Sequence, residues 1–182
     1  MFASVATPSI SFLLCFLLVF SYSPLVLTSD LAQYASGETI LCIGDSLTHG
    51  LFVTSDDESG QNFHPYTLQL AKSLKFNSTI IEAGTNGATL PELLTSLPGL
   101  LITHSPLVVV ILGGTNDLGG KGANSSPESM LTNIAQLHKL ALTYVRKDKQ
   151  KVMTVAVTIP PVDGHDEEQD ATRNKVREGG GR

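Results

Sequence analysis

The chain has 182 residues, 42% apolar and 16% charged, with no tryptophan and a formal net charge of −5. That length allows one domain with a real core and is short for two, and the mix is neither disordered nor fibrous. Mild acidity without a dense basic stretch argues against nucleic acid as a partner.

The first 29 residues carry no charged side chain, and "ISFLLCFLLVF" from Ile10 to Phe20 is a dense apolar block. A helix crossing the hydrocarbon core needs about 20 apolar residues. This block is shorter, and Ser21, Ser23 and Pro24 interrupt its far side. Residues 1–29 therefore read as a secretory signal peptide, cleaved between Pro24 and Gly37, with no stable membrane span left afterwards. An uncleaved membrane anchor is the alternative. Cys15 would leave with this leader, so Cys42 stands alone and no internal disulfide is expected. Within a strand, Cys42 reads as a small core residue. The sequons Asn77-Ser78-Thr79 and Asn124-Ser125-Ser126 agree with export.

After the leader, strand-like and helix-like stretches alternate. "ILCIG" (40–44) reads as a buried strand broken at Gly-Asp-Ser, with a helix able to begin at Ser46. "HPYTLQLAKSLKF" (64–76) is a helix, with Leu68, Ala71 and Leu74 at helical spacing. "STIIEAG" (78–84) is the second strand and "LVVVILGG" (107–114) the third. The third is nearly continuous in apolar residues, as a strand covered on both faces should be. The clearest helix spans Ser125 to Lys147. Ser126 caps it, Pro127 opens it, and Met130, Ile134, Leu137, Ala141 and Val145 form one face. Arg146 and Lys147 close it in accord with the helix dipole. "KVMTVAVTIP" (151–160) is the fourth strand. The acidic "VDGHDEE" beyond it reads as a solvated loop, and residues 177–182 as an atypical glycine-rich tail. The alternation predicts a doubly wound parallel sheet, whose ligands bind beyond the carboxyl ends of the strands.

The unusual residues fall at those ends. A serine needs a base to become nucleophilic, and attack on an ester carbonyl creates an oxyanion that needs fixed donors. Ser46 would be exposed at a strand-to-helix turn beside unpaired helix amides. A glycine at position 84 lets a backbone N–H approach the carbonyl unobstructed. Asn116 can offer its side-chain amide. Singly, these residues would read as a helix cap and two turns. Together they make a nucleophile and an oxyanion hole.

"GDSL" (44–47), "EAGTNGAT" (82–89) and "GGTND" (113–117) resemble, in order, three signature blocks of the GDSL or SGNH hydrolases. The resemblance covers about positions 39 to 176, within a domain placed at 37–176. It implies the SGNH fold, a flavodoxin-like three-layer α/β/α arrangement around a parallel sheet. It also implies hydrolysis of a small ester or acylated substrate without metal or cofactor. Ser46 would be the nucleophile, with an oxyanion hole from Ser46, Gly84 and Asn116. One departure is Glu82, where an asparagine is often found, which places a supporting hydrogen bond in question.

The larger departure is the family's fourth block, Asp-x-x-His, which supplies the base after a fifth strand. No such spacing occurs here, so the last strand and closing helix are expected to be missing and the chain to be weak or inactive. Asp163 and His165 are two apart and follow the fourth strand. His49 reads as a surface residue. His64, His104 and His138 show no ligand spacing, so no metal site is expected. The alternative is a non-catalytic binding protein on the same fold. A phosphate-binding loop at "GGTNDLGGKG" fails, because Thr115 stands where glycine is needed and Gly122 where Ser or Thr is needed.

Overall fold

The computed structural model describes residues 36–52, 62–74, 77–119, 126–161 and 167–179. Strand β1 (Thr39–Gly44) leads into a one-turn helix α1 (Ser46–His49). A short antiparallel pair follows, β2 (Leu51–Phe52) with β3 (Asn62–Phe63), and then helix α2 (Tyr66–Leu74). Next come β4 (Thr79–Gly84), α3 (Leu90–His104), β5 (Val108–Leu112), the one-turn α4 (Thr115–Leu118) and α5 (Pro127–Thr143). β6 (Met153–Ala156) and α6 (Glu167–Gly179) complete the described chain.

The sheet is parallel throughout, in the order β4-β1-β5-β6. This is the doubly wound arrangement that the alternating pattern predicts. Successive side chains of a strand face opposite ways, and β1 shows the result. Leu41 and Ile43 join the larger core with Leu90, Leu93, Leu97 and Leu101 of α3 and Met130 and Leu137 of α5. Ile40 and Cys42 enter a smaller core against Tyr66, Leu70 and Leu74 of α2. All five residues of β5 are buried, as its apolar run requires. The α2 side is thinly covered, and Met153, Val155 and Val157 are only partly buried there.

Several elements differ from their sequence readings. On α2 the face packed on the sheet is Tyr66, Leu70 and Leu74, each four residues on and partly buried, while Leu68 is 50% exposed. Helix α3 was not anticipated. It has Pro98 inside it, yet Thr89 and Glu92 close its first turn, with the Thr89 N–H and hydroxyl both donating to Glu92 Oε2 at 2.8 Å. Helix α5 starts as expected, with Ser126 Oγ accepting from the Ser129 N–H at 3.2 Å. It stops at Thr143, so Val145 leaves the apolar face and is 77% exposed. Helix α6 occupies a stretch that carries one buried apolar residue, Val176, and runs on to Gly179 in the expected tail. Asp163 and His165 lie outside the described residues, as does the leader. Among the described residues β6 has only β5 as a neighbour, which makes it the sheet edge expected of a fourth strand without a fifth.

Arg146 is the sharpest correction. It does not decorate a helix end but is buried, 7% exposed, in the turn after α5. Its Nη1 donates to the Ser105 carbonyl at 2.7 Å, Nη2 to Glu38 at 2.9 Å, and Nε to Asp148 at 3.0 Å. One guanidinium thus ties the approach to β1, the end of α3 and the turn into β6.

Replacing Arg146 by Met keeps the aliphatic stem and should lower the Tm by about 5 °C near neutral pH. The Arg146 hydrogen bond holds the Asp148 carboxyl down at about 2. A lowered carboxylate stabilises the fold above its unfolded value and loses that contribution as pH falls through the folded one. The gap between wild type and Arg146→Met should therefore shrink in acid. An equal gap at about pH 3 and pH 7 would assign the effect to packing instead.

Candidate active site

Three neighbouring strands deliver the candidate residues to one end of the sheet. Gly44 at the end of β1 lies opposite Gly84 of β4 on one side and Leu112 of β5 on the other. Beyond Gly44 the chain turns sharply into α1. Asp45 caps that turn: its Oδ1 accepts from the Leu47 N–H at 2.9 Å, and its carbonyl accepts from Thr48 and His49, both at 3.1 Å. Ser46 therefore opens α1, partly exposed above the buried Asp45.

Two glycines make this turn possible. A Cβ on Gly44 would come within 2.1 Å of the Leu112 carbonyl oxygen. A Cβ on Gly84 would come within 2.2 Å of the His49 backbone nitrogen. Helix α1 consequently lies directly across the end of β4. The Thr85 N–H continues the contact by donating to the Gly44 carbonyl at 2.9 Å.

The third strand end is fastened to the second. Asn116 Nδ2 donates to the Ala88 carbonyl at 2.9 Å, which engages one of its two amide hydrogens. Asp117, next along α4, accepts from the Leu90 N–H at 3.0 Å and so caps α3. Asn116, the candidate read from the sequence, is thus partly exposed, while its neighbour Asp117 is buried and serves as a cap.

Burial pushes the Asp45 carboxyl above the usual carboxylate range; the Leu47 N–H opposes this, and the nearby Asp117 charge adds to it. Thr115 faces Asp45 with hydroxyl and amide, which also lowers its pKa, without closing an ordinary hydrogen bond to Oδ2. Burial raises Asp117 as well. Cys42 is enclosed, and burial drives its thiol up to about 12, which fits a core residue and not a nucleophile.

Glu82 and His49 acquire roles the sequence did not show. Glu82 Oε1 accepts from the Gly84 N–H at 2.6 Å, and Oε2 lies 3.3 Å from His49 Nδ1. The His49 ring meets Phe63 edge-on, 4.6 Å between centroids. The carboxylate thus makes a hydrogen bond at the position where the exchange for asparagine left one in question. His49 is held by neighbours on two sides. A signal was available: His49 is one helical turn from Ser46, and Glu82 is two residues before Gly84.

His104 ends α3 and borders an open groove with Glu82 and Gly84. His138 sits on α5, and burial lowers its pKa. Asn77 is exposed just before β4, while Asn124 lies outside the described residues. Among the described residues no helix is long and apolar enough to cross a membrane.

Residues 42–179 match the model of the GDSL-like Lipase/Acylhydrolase family. No curated protein matches the chain. Among solved structures it is similar to a carbohydrate acetylesterase family member from Sinorhizobium meliloti, with TM-score 0.59 and 23% identity over 78% of this chain and 77% of that one. It is also similar to a lipolytic protein G-D-S-L family member from Veillonella parvula, with TM-score 0.58 and 18% identity over 78% and 69%. The lipase/acylhydrolase from Enterococcus faecalis gives TM-score 0.57 and 21% identity over 79% and 71%. At these identities the likeness establishes the fold.

The buried acids make a testable point about the turn. A carboxyl whose pKa is raised in the fold contributes most stability in acid, and that contribution is lost as pH rises through the folded value. Asp45→Asn keeps an oxygen for the Leu47 N–H and removes the buried charge. Thermal melts should show it gaining on wild type between about pH 4 and pH 8. Asp45→Ala loses the cap and should cost about 1 kcal/mol throughout. If Asp45→Asn instead loses ground as pH rises, burial does not dominate this carboxyl.

Proposed function

The chain belongs to the GDSL-like lipase/acylhydrolase family, and we propose that it is a serine ester hydrolase acting through Ser46. The observation that supports this most is the register that sets Gly44 beside Gly84, with Asn116 tied back to Ala88. It gathers one hydroxyl and two candidate hydrogen-bond donors at a single sheet end.

In this reading Ser46 Oγ bonds to the carbonyl carbon of a carboxylic ester as its proton leaves. The carbonyl electron pair moves onto oxygen, where the Ser46 N–H and the second Asn116 amide hydrogen stabilise it; the Gly84 N–H, expected from the sequence as a third donor, is engaged by Glu82. Collapse expels the alcohol and leaves an acyl-serine, which water then cleaves. No step calls on a metal or cofactor. The proton acceptor is the weak part: these 182 residues contain no Asp-x-x-His, the spacing that the family resemblance implies. Without a triad base, about 10³ to 10⁴-fold catalysis over water is left to the oxyanion hole and binding.

Export belongs to the same proposal. The uncharged leader supports it, as does the exposed position of Asn77. Expression in a secretory host should yield protein starting between Pro24 and Gly37 with glycan at Asn77, Asn124 or both. Unglycosylated, full-length chain in the cytosol would rule export out.

The catalytic reading is tested with short p-nitrophenyl esters. The purified chain should show slow turnover of that residual order, Ser46→Ala should reduce it to background, and His165→Ala should leave it unchanged. Turnover that survives Ser46→Ala would remove the proposed nucleophile. Strong turnover lost with His165→Ala would identify His165 as the base.

A further inference from the structure

Helix α6 packs on α5 without filling the space between them. Leu131, Ile134 and His138 share one face of α5, and Arg173, Val176 and Arg177 share one face of α6. Of the α6 trio only Val176 is a buried apolar residue, so the two faces do not close on each other. A cavity of about 70 Å³ remains between them, against β5 and β6. None of Ser46, Gly84 and Asn116 lines it.

The polar side chains lining this cavity are His138, Thr158, Arg173 and Arg177, all able to donate hydrogen bonds, and among the described residues none of the lining is acidic. His138 Nε2 and Arg173 Nη1 are buried, and neither completes a hydrogen bond. Arg173 Nη1 lies 2.9 Å from Asp170 Oδ1, an ion pair that offsets this guanidinium without the alignment of a hydrogen bond. Arg177 then leaves an excess of positive charge at the exposed rim. Burial lowers the His138 pKa, so its imidazole is neutral near pH 7 and either ring nitrogen can carry the proton. Buried donors without partners call for an acceptor, and the charge balance calls for an anionic one. The other walls are aliphatic, which suits an apolar tail.

We propose that this cavity binds a short-chain monocarboxylate, with its carboxylate on Arg173 and the His138 Nε2–H and its alkyl tail against Ile134 and Val176. Size sets the length of the chain. A cavity of about 150 Å³ takes benzene, so one of about 70 Å³ takes about three carbons, the length of propionate. The site stands whether or not Ser46 is a nucleophile.

The test is binding to the full chain, read at the His138 ring by NMR and by thermal melts. Propionate and butyrate should shift the His138 Cε1–Hε1 resonance saturably, and at about ten times their Kd should raise the Tm by about 4 °C. Hexanoate should bind about tenfold more weakly, because its tail overfills the space. Arg173→Met keeps the stem and should weaken propionate about tenfold. Ile134→Phe fills the apolar end and should also weaken it, with both arginines in place.

Should either variant fail to fold, ligands alone still decide on the wild-type chain. An equal shift from n-propanol removes the role of charge, and equal binding of inorganic phosphate removes the role of the apolar wall. A His138 resonance that excess propionate leaves unmoved removes the site. Undiminished propionate affinity in folded Arg173→Met puts the anion elsewhere and overturns the proposal too. None of these results bears on Ser46, whose turnover is a separate measurement.

Discussion

The site depends on a close approach of backbone to backbone. Helix α1 can cross the ends of β1 and β4 only because neither Gly44 nor Gly84 carries a side chain. Everything else follows from that contact. It brings Ser46 and the Gly84 N–H to neighbouring strand ends, and it seats His49 where Glu82 can reach it. Parallel pairing supplies the other half of the constraint, because it makes adjacent strands stop at the same end.

Around this contact the protein spends polar groups on anchoring. Asp45 secures α1 through the Leu47 N–H, Asp117 secures α3 through the Leu90 N–H, and Asn116 holds the Ala88 carbonyl. Two of these are acids with pKa values raised by burial, an arrangement that costs stability at neutral pH. Strain of this sort is common where a fixed geometry matters more than the most stable packing. The positively charged counterpart is remote, at Arg146, where one guanidinium joins three segments below the sheet.

Much of the fold was legible because periodicity and burial agreed. The run Val108–Leu112 is apolar at every position and buried at every position. Ser126 and Pro127 announced the start of α5 through a local hydrogen bond that needs no tertiary context. The failures arose where tertiary packing outweighed local pattern. Val145 continues the apolar face in sequence, but the helix has already ended, because the chain turns to bury Arg146. Helix α3 has Pro98 and Gly99 in its middle and is leucine-rich, which hides its period, although Thr89 and Glu92 carried the start signal. Helix α6 has a single buried apolar residue, too few to be seen as a face. The candidates Ser46, Gly84 and Asn116 were placed at strand ends from sequence, and neighbouring strand ends are where they lie. The contact of Glu82 with Gly84 is local to β4, but its meeting with His49 could not be read, because it depends on α1 lying across the end of β4.

The position of β4 has a consequence for how the protein comes apart. Among the described residues it is hydrogen-bonded to β1 alone, and none of its six residues is fully buried, whereas five of the six in β1 are. Opening a segment of this kind costs less than unfolding the core. Ser46 follows the firm central strand, and Gly84 ends an edge strand. On gentle warming the two would part company first, leaving a chain that is still folded by most measures but whose strand ends no longer meet.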